Sequence, residues 1–212
     1  MKDLSIIIPV YNEAEIIQTV IKDWIDVLEN LSIEFEIIAY NDGSTDDSLS
    51  KLKQLGDNNS CLRVIDKSNT GHGPTILRGY RESNSRWIFQ IDSDNEIKAN
   101  NFHKFWLDRL NYDFIIGHRE DRESPFTRKL VSFFSRVTIN IFYGSGISDI
   151  NCPYRLYKKD VFEKYFSSIP NDTFAPNVIL SGIAINKRMK IKIINVEYSF
   201  RETGEVSIKK LK

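Results

Sequence analysis

Two aspartates, Asp92 and Asp94, lie two residues apart at the end of the apolar segment RWIFQID. Because residues i and i+2 of an extended segment point to the same side, their carboxylates are predicted to lie together. Carboxylates held together repel each other unless a cation lies between them, and such oxygen ligands suit Mg²⁺ or Mn²⁺. Glu96 is two residues further along and could add an oxygen ligand or a water-mediated contact. The alternative is a solvated turn, since Asp, Ser and Asn are common turn residues.

A third aspartate, Asp42, lies in the segment NDGS after another apolar run. A carboxylate at this position can accept N–H bonds from a nucleobase, and the glycine permits a tight turn. A turn that caps the next helix and binds no ligand is an equally good interpretation.

The exit of the first apolar run, PVYNE, carries side chains that suit a nucleoside. Tyr11 can stack on a base, and Glu13 can accept a hydrogen bond from a ribose hydroxyl. Without the other two motifs, a strand exit followed by a helix cap is the simpler interpretation.

Small residues precede a predicted helix in the segment GHGPT, where backbone N–H groups of Gly71 and its neighbours can approach an anion. The segment is neither a Walker A loop nor a GxGxxG dinucleotide motif. His72 is interpreted as a loop residue without a role. Basic residues elsewhere could neutralise a departing diphosphate, although most surface arginines do not: Arg119, Arg128, Lys129, Arg136, Arg155 and Arg201.

A scaffold that brings strand ends together is predicted from the alternation of short apolar runs with helical periodicity. Strands are predicted over Leu4–Val10, Phe35–Tyr40, Leu62–Asp66, Arg86–Asp92 and Asp113–Gly117. Helices are predicted over Ala14–Asn30, Asp46–Leu55 with Gly56 as its cap, Thr75–Glu82 and Asn100–Leu110. This order implies an α/β fold with a mostly parallel sheet and helices on both faces. Ligands bind beyond the carboxyl ends of such strands, where the three polar motifs lie.

The chain changes character after Gly117. The segment Ser124–Ser148 contains no acid, and its part Phe126–Phe142 is predicted to be an amphipathic helix with a basic edge. This helix either packs on the sheet or lies on an anionic membrane. A polar loop over Ser148–Lys159 that leads into a helix, a helix over Phe174–Met189 and a strand over Lys190–Phe200 are predicted to follow.

The composition indicates one ordinary domain that is soluble or peripheral to a membrane. The chain has 212 residues, with 29 Lys+Arg against 29 Asp+Glu, so it lacks the basic surplus of a general nucleic-acid binder. Its two cysteines, Cys61 and Cys152, form no metal-binding or disulfide pattern. We find no signal peptide and no apolar run of the ~20 residues that a spanning helix needs. A cytoplasmic location, free or at the cytoplasmic face of a membrane, is expected.

Four segments taken together resemble a known family: SIIIPVYNE, EIIAYNDGSTDDS, NTGHGPTILRGY and WIFQIDSD. In order and spacing they are similar to the inverting glycosyltransferases of family 2, which have the GT-A fold. The resemblance spans residues 4–96, and NDGS and DSD stand where the family usually has DDGS and DAD. Later segments, SDINCPYRLYKKDVFEKY and YSFRETGEVSIKK, resemble the branch of dolichyl-phosphate mannosyltransferases and polyprenyl-phosphate glycosyltransferases.

The resemblance implies a role for each matching position. The residues that hold the nucleotide sugar would be Pro9, Tyr11, Glu13, Asp42, Gly71, Asp92 and Ser93. Asp92, Asp94 and Glu96 would hold Mg²⁺ or Mn²⁺, and the catalytic residues would be Asp94, Asp149 and Arg119. The acceptor phosphate would be bound by Arg128, Arg136, Arg155 and Arg201. One domain over 1–212 is implied, with a Rossmann-like half that binds the nucleotide sugar (1–118) and an acceptor-binding half (119–212).

The implied reaction moves a sugar from a UDP- or GDP-linked donor to a polyprenyl phosphate at a membrane surface, with inversion. A phosphate oxygen is already anionic and needs no strong base. The hydroxyl of a glycan or small-molecule acceptor would need a carboxylate to take its proton, and Asp149 is then the candidate base, or else a structural acid. A nucleotidyltransferase, whose Gly-rich basic loop is absent from PVYNEAE, and a non-catalytic nucleotide-binding module are the remaining alternatives.

Overall fold

A seven-stranded sheet organises the part of the chain that the computed structural model describes, residues 1–119, 147 and 149–199. Its strands are β1 (Leu4–Val10), β2 (Phe35–Asp42), β3 (Leu62–Lys67), β4 (Trp87–Gln90), β5 (Phe114–Arg119), β6 (Arg155–Lys158) and β7 (Ile191–Val196). Their order across the sheet is β3-β2-β1-β4-β6-β5-β7. Neighbours are parallel except where β6 pairs with β4 and β5. The predicted α/β class with a mostly parallel sheet is therefore confirmed.

The described helices connect these strands and cover the sheet. They are α1 (Ile17–Asn30), α2 (Ser48–Asn58), α3 (His72–Glu82), α4 (Phe102–Asp108), α5 (Lys159–Ser168) and α6 (Pro176–Asn186), with 3₁₀ turns on either side of α4. Because β–α–β crossovers are right-handed, α1 and α2 lie on one face and α3, which leads back across the sheet to β4, lies on the other. The crossover direction reverses between β1 and β4, and such a switch point opens a crevice at the carboxyl ends of the strands.

Aromatic side chains fill both layers beside the sheet. All seven residues of β1 are buried. On the α1 face, the ring of Trp24 lies 5.5 Å from Phe89 and 5.5 Å from Phe102, centroid to centroid. On the α3 face, Tyr80 stacks on Phe166 at 5.1 Å. Full burial of one such side chain contributes roughly 1.5–3 kcal/mol, so these layers fix the strands whose ends form the site.

Two local predictions are wrong. A polar loop is predicted over Ser148–Lys159, but residues near the end of this segment form β6. The four residues RLYK do not alternate between polar and apolar, and β6 is defined by its partners on both sides. The predicted cap at Gly56 is also wrong, because α2 continues to Asn58. Its C-cap residue is Asn59, whose N–H donates to the Gly56 carbonyl oxygen at 3.3 Å.

Strands from both predicted halves of the chain share the one sheet, and β5 spans the boundary at residue 118. The single domain over 1–212 and its division at this point stay predictions. The predicted amphipathic helix Phe126–Phe142 lies outside the described residues. Within residues 1–119, 147 and 149–199, none of the helices has the length and apolar character needed to span a bilayer.

Candidate functional site

A cleft of about 310 Å³ lies at the carboxyl ends of β1, β2 and β4. The residues that line it are Pro9, Val10, Tyr11, Glu13, Asp42, Asn69, Gly71, His72, Asp92, Ser93 and Asp94. The seven residues predicted to hold a nucleotide sugar, Asp92 among them, therefore meet in one place together with Asp94, the other predicted metal-binding aspartate. Their individual roles stay predictions.

The loops that follow β1 and β2 fix each other by hydrogen bonds. Asn12 has a left-handed backbone conformation with φ of 55°, which asparagine tolerates better than most residues. Its Oδ1 accepts the Thr45 N–H at 2.8 Å, and Ser44 Oγ accepts the Asn12 N–H at 3.1 Å. Ser48 Oγ accepts the Glu13 N–H at 2.8 Å. The loop after β2 thus holds the loop after β1 at the mouth of the cleft.

Asp42 is buried, and its carboxylate is engaged by the protein itself. Lys67 Nζ and the Thr70 N–H, at 2.8 Å, donate to Oδ1, and the Gly71 N–H donates to Oδ2 at 3.0 Å. A carboxylate offers about four acceptor positions, so these bonds leave roughly one on Oδ2. Asp42 can therefore accept a single N–H from a ligand. Gly71 lines the cleft, but its N–H is used in this bond rather than offered to an anion.

Lys67 is a residue of the site that the sequence analysis does not identify. Its ammonium group also donates to Thr70 Oγ1 at 2.7 Å and to Thr75 Oγ1 at 3.1 Å, so it ties the loop before α3 to Asp42. The register of the sheet pairs Lys67 with Asp42 at the ends of β3 and β2. Opposite charges at the ends of two adjacent strands are the signal that could have revealed it.

His72 lies against Asp92, so its interpretation as a loop residue without a role does not hold. Its Nε2 is 2.8 Å from Asp92 Oδ1, which also accepts Gln90 Nε2 at 3.0 Å. Burial disfavours the charged form of each group, but their mutual attraction outweighs it, raising the pKa of His72 and lowering the pKa of Asp92. The hydrogen bonds described for Asp92 all end on Oδ1, which makes Oδ2 the oxygen available to a ligand.

Asp92 and Asp94 together fit a divalent cation, because both hard carboxylates line the same cleft. Within residues 1–119, 147 and 149–199, no group of three or more His, Cys, Asp or Glu side chains is arranged to hold a metal. The predicted third ligand, Glu96, therefore does not complete a set with them. Its N–H donates to Asp94 Oδ1 at 3.2 Å, and its carbonyl oxygen accepts the Ser199 N–H at 2.9 Å. A cation here would take its other ligands from phosphate oxygens.

Arg119, the last residue of β5, is buried and held by Asp149. Its Nε and Nη2 donate to the two carboxylate oxygens at 2.7 and 2.8 Å. Burial disfavours the charge, but Asp149 keeps the pKa of Arg119 above its ordinary value. The charge of Arg119 in turn helps to lower the pKa of Asp92, which places Arg119 within electrostatic reach of the cleft. Both oxygens of Asp149 are thus engaged by one bidentate guanidinium.

Arg155 occupies a structural position rather than the predicted acceptor site. Its side chain is fully buried. Nε donates to the Cys152 carbonyl oxygen at 2.7 Å, and Nη1 donates to the Asn177 carbonyl oxygen and Ser181 Oγ, both at 3.0 Å. Nη2 donates to the Ile150 carbonyl oxygen. Because the guanidinium is enclosed and bonded to protein acceptors, it is not placed to bind an acceptor phosphate.

The remaining predicted acceptor residues, Arg128, Arg136 and Arg201, lie outside the described residues. Arg119 and Arg155 are the two predicted donor- or acceptor-binding arginines that lie within the described residues. A role for the other three at the acceptor site stays a prediction.

Solved structures share this fold. Mannosyl-3-phosphoglycerate synthase from Rubrobacter xylanophilus gives a TM-score of 0.71 at 15% identity, over 95% of this chain and 68% of that chain. Glucosyl-3-phosphoglycerate synthase from Mycobacterium tuberculosis, solved in complex with Mn²⁺, UDP and phosphoglyceric acid, gives 0.69 at 16% identity, over 96% of this chain and 72% of that chain. At these identities the similarity shows the fold, and it agrees with the expected GT-A architecture.

A curated relative matches almost the whole chain. It is undecaprenyl-phosphate 4-deoxy-4-formamido-L-arabinose transferase of Photorhabdus laumondii, 25% identical over 206 residues. The match covers 96% of this chain but 63% of the relative, so the chain spans less than two thirds of that protein's length.

The sequence model of glycosyl transferase family 2 matches residues 5–166, which include every residue that lines the cleft. The chain therefore belongs to glycosyl transferase family 2, as its four motifs predicted.

Proposed function

We propose that the chain transfers a sugar from a UDP- or GDP-linked donor to a polyprenyl phosphate, with Mg²⁺ or Mn²⁺ held by Asp92 and Asp94. The proposal rests on one observation: Tyr11, Asp42, Asp92 and Asp94 line the same cleft at the switch point of the sheet. A relative named as an undecaprenyl-phosphate transferase and a structural neighbour solved with Mn²⁺ and UDP support it.

The nucleoside of the donor would lie between Tyr11 and Asp42. Tyr11 is 39% exposed and offers a face on which a base can stack. Asp42 retains acceptor capacity for one N–H of that base, since Lys67, Thr70 and Gly71 already donate to it. Binding would therefore use an aromatic platform and one directional hydrogen bond.

The sugar diphosphate would lie along the wall formed by Asp92 and Asp94. The cation, when bound there, would offset the negative charge that develops on the departing diphosphate. Gln90 and His72 hold Oδ1 of Asp92, which would leave Oδ2 to coordinate the cation. Arg119 adds a fixed positive charge near the same carboxylate.

The ion pair between Arg119 and Asp149 bears on which kind of acceptor the site can use. A hydroxyl acceptor needs a carboxylate that can take a proton. Both oxygens of Asp149 accept bonds from the Arg119 guanidinium, so this carboxylate is already engaged within the protein. A phosphate acceptor needs no such base, because its oxygen is already a nucleophile that only has to be aligned. The geometry therefore favours an anionic acceptor.

A lipid-linked acceptor would bring the chain to a membrane surface, and we place the reaction at its cytoplasmic face. The acid-free, basic composition of Ser124–Ser148 suits an anionic lipid surface. Vesicle binding that is lost when the apolar residues of Phe126–Phe142 are replaced would support this arrangement.

The test is a transfer assay with radiolabelled UDP- and GDP-sugars, Mn²⁺ and a short-chain polyprenyl phosphate in detergent. We expect lipid-linked product with one class of nucleotide sugar. Asp92→Asn and Asp94→Asn should each lower the rate by at least ~100-fold, as expected for lost stabilisation of a leaving group. Exposed Asp57→Asn serves as the matched control that should leave the rate unchanged.

Three outcomes would contradict the proposal in different ways. Transfer to glycan or small-molecule hydroxyls but not to polyprenyl phosphate would remove the acceptor assignment. Full activity in EDTA would remove the metal. Binding of a nucleotide without any transfer or hydrolysis would leave a nucleotide-binding module.

A further inference from the structure

We propose that Gln90 and Asn177 are positioning residues that orient Asp92 for the cation, an inference that rests on the proposed metal-dependent function. Asn177 Nδ2 donates to Gln90 Oε1 at 2.9 Å, and Gln90 Nε2 donates to Asp92 Oδ1 at 3.0 Å. The two amides thus connect a helix near the end of the described chain to the carboxylate at the end of β4.

The direction of these bonds is set at the Asp92 end. A carboxylate accepts hydrogen bonds, so Gln90 turns its NH₂ group toward Asp92 and its Oε1 toward Asn177. Asn177 then turns its NH₂ group toward Gln90. The Asn177 Oδ1 accepts the hydroxyl of the buried Tyr80 at 2.7 Å, which holds the far end of the chain of bonds.

Three elements on one face of the sheet meet at this chain of bonds. Gln90 is the last residue of β4 and fully buried, and the register places it beside Ile7, on the face that α3 covers. Tyr80 comes from α3, and Asn177 lies in the first turn of α6. The Asn177 carbonyl oxygen also accepts Arg155 Nη1 at 3.0 Å, which ties α6 to β6. Packing of the core therefore determines where Asp92 points.

The chain of bonds has a consequence for ligation by Asp92. Gln90 and His72 both bond to Oδ1 of Asp92, so rotation of the carboxylate about the Cβ–Cγ bond would break both hydrogen bonds. Oδ2 is then held as the single oxygen directed to a cation. Groups that orient a metal ligand in this way typically change metal affinity by about 10–100-fold when altered.

The direct test is Gln90→Met, a change of similar length that removes the donor to Asp92 without adding charge. Asn177→Leu removes the NH₂ group that holds Gln90 Oε1, again without a new charge, so the Gln90 amide is no longer held toward Asp92. We expect the dissociation constant for Mn²⁺, measured by electron paramagnetic resonance with UDP or GDP present, to rise about 10-fold or more in each variant.

Asn111→Leu makes the same exchange at an exposed position before β5, at the amino end of the strands and away from the cleft, and should leave Mn²⁺ affinity unchanged. Melting temperatures of all variants separate lost affinity from lost folding, and Asn177→Leu keeps the test open if Gln90→Met unfolds. Wild-type affinity in both folded variants, with binding lost in Asp92→Asn, would overturn the inference but not the metal site. A wild-type chain that binds no Mn²⁺ would remove the metal site and the inference with it.

Discussion

Asn41 shows how a side chain beside the cleft depends on the charge of its neighbour. It is 1% exposed, and its Nδ2 donates to Asp66 Oδ1 at 2.7 Å across β2 and β3. An aspartate, which the family usually has at this position, would set one carboxylate against another here. The asparagine of NDGS, in place of the first aspartate of DDGS, therefore suits the neighbouring carboxylate of Asp66.

We expect Asn41→Asp to lower the free energy of unfolding at neutral pH by about 1–3 kcal/mol. Asp66 loses its hydrogen-bond donor, and the new buried carboxylate repels that of Asp66. Repulsion raises the pKa of the new acid in the folded state, so the folded state binds a proton more readily and the loss should shrink as the pH falls. Urea unfolding at neutral and mildly acidic pH measures this. Exposed Asn58→Asp is the control, and a loss that is independent of pH would contradict the explanation.

Arg155 is expected to matter for folding rather than for the acceptor. A lysine cannot reach the carbonyl oxygens of Cys152, Ile150 and Asn177 together, and each acceptor left unpaired costs about 1–3 kcal/mol. Arg155→Lys should therefore reduce the free energy of unfolding by at least about 3 kcal/mol, measured by urea denaturation. Arg63→Lys, at an exposed position, should change it little. A stable Arg155→Lys variant with a raised KM for the acceptor alone would restore the acceptor role.

At the residue scale, the sequence predicted the side chains whose place follows from a strand end. Asp42, Asp92 and Asp94 follow apolar runs, so the rule for parallel sheets was enough to bring them together. Asn177 lies 87 residues from Gln90 along the chain, and no local pattern marks a contact made by helix docking. Arg155 sits in a polar sequence, but the pairing of β6 buries it.

At the element scale, the start of α3 depends on a close approach by the chain before α6. A Cβ atom on Gly73 would lie 2.1 Å from the Phe174 carbonyl oxygen and 2.4 Å from that of Thr173. Both are backbone atoms, so they cannot move aside as a flexible side chain would. The contact places the first turn of α3, with His72, beside the cleft.

We expect Gly73→Ala to destabilise the fold by about 1–3 kcal/mol, the usual cost of overpacking, and to weaken nucleotide binding because His72 shifts with the helix. Gly56→Ala is the matched control inside α2. Its Cβ would meet Val64 Cγ2 at 3.4 Å, an ordinary contact, and alanine gains about 0.5–1 kcal/mol over glycine in a helix interior. Thermal unfolding should therefore move in opposite directions for the two variants, and a shift in the same direction would refute the packing explanation.

Elements whose sequence has a helical or strand-like pattern of apolar residues could be predicted. A strand that forms only because neighbouring strands pair with it could not. β1 and α1 follow directly from a buried apolar run and a repeat of apolar residues at helix spacing. β6 carries no such pattern in RLYK and exists because β4 and β5 supply its hydrogen bonds on both sides. Because β6 is antiparallel, the order β4-β6-β5 could not be derived from the βαβ alternation of the first half.

At the scale of the whole molecule, the cleft is built by segments far apart in the chain. Its walls come from the ends of β1, β2 and β4, while β6 and α6 support the last of these from behind. Unfolding any of these segments would dismantle the site. Ligand binding is therefore coupled to the global stability of the fold rather than to one loop.

We accordingly expect Mn²⁺ with UDP or GDP, whichever is the donor nucleotide, to stabilise the entire fold. A ligand at 100 times its dissociation constant adds about 2.7 kcal/mol, which for a domain of this size raises the melting temperature by roughly 5–10 °C. EDTA should remove most of that shift, because Asp92 and Asp94 without a cation repel the diphosphate. Asp94→Asn should reproduce the EDTA result, and exposed Asp57→Asn should not. An equal shift with and without EDTA in the wild-type chain would mean that the nucleotide is held without a metal.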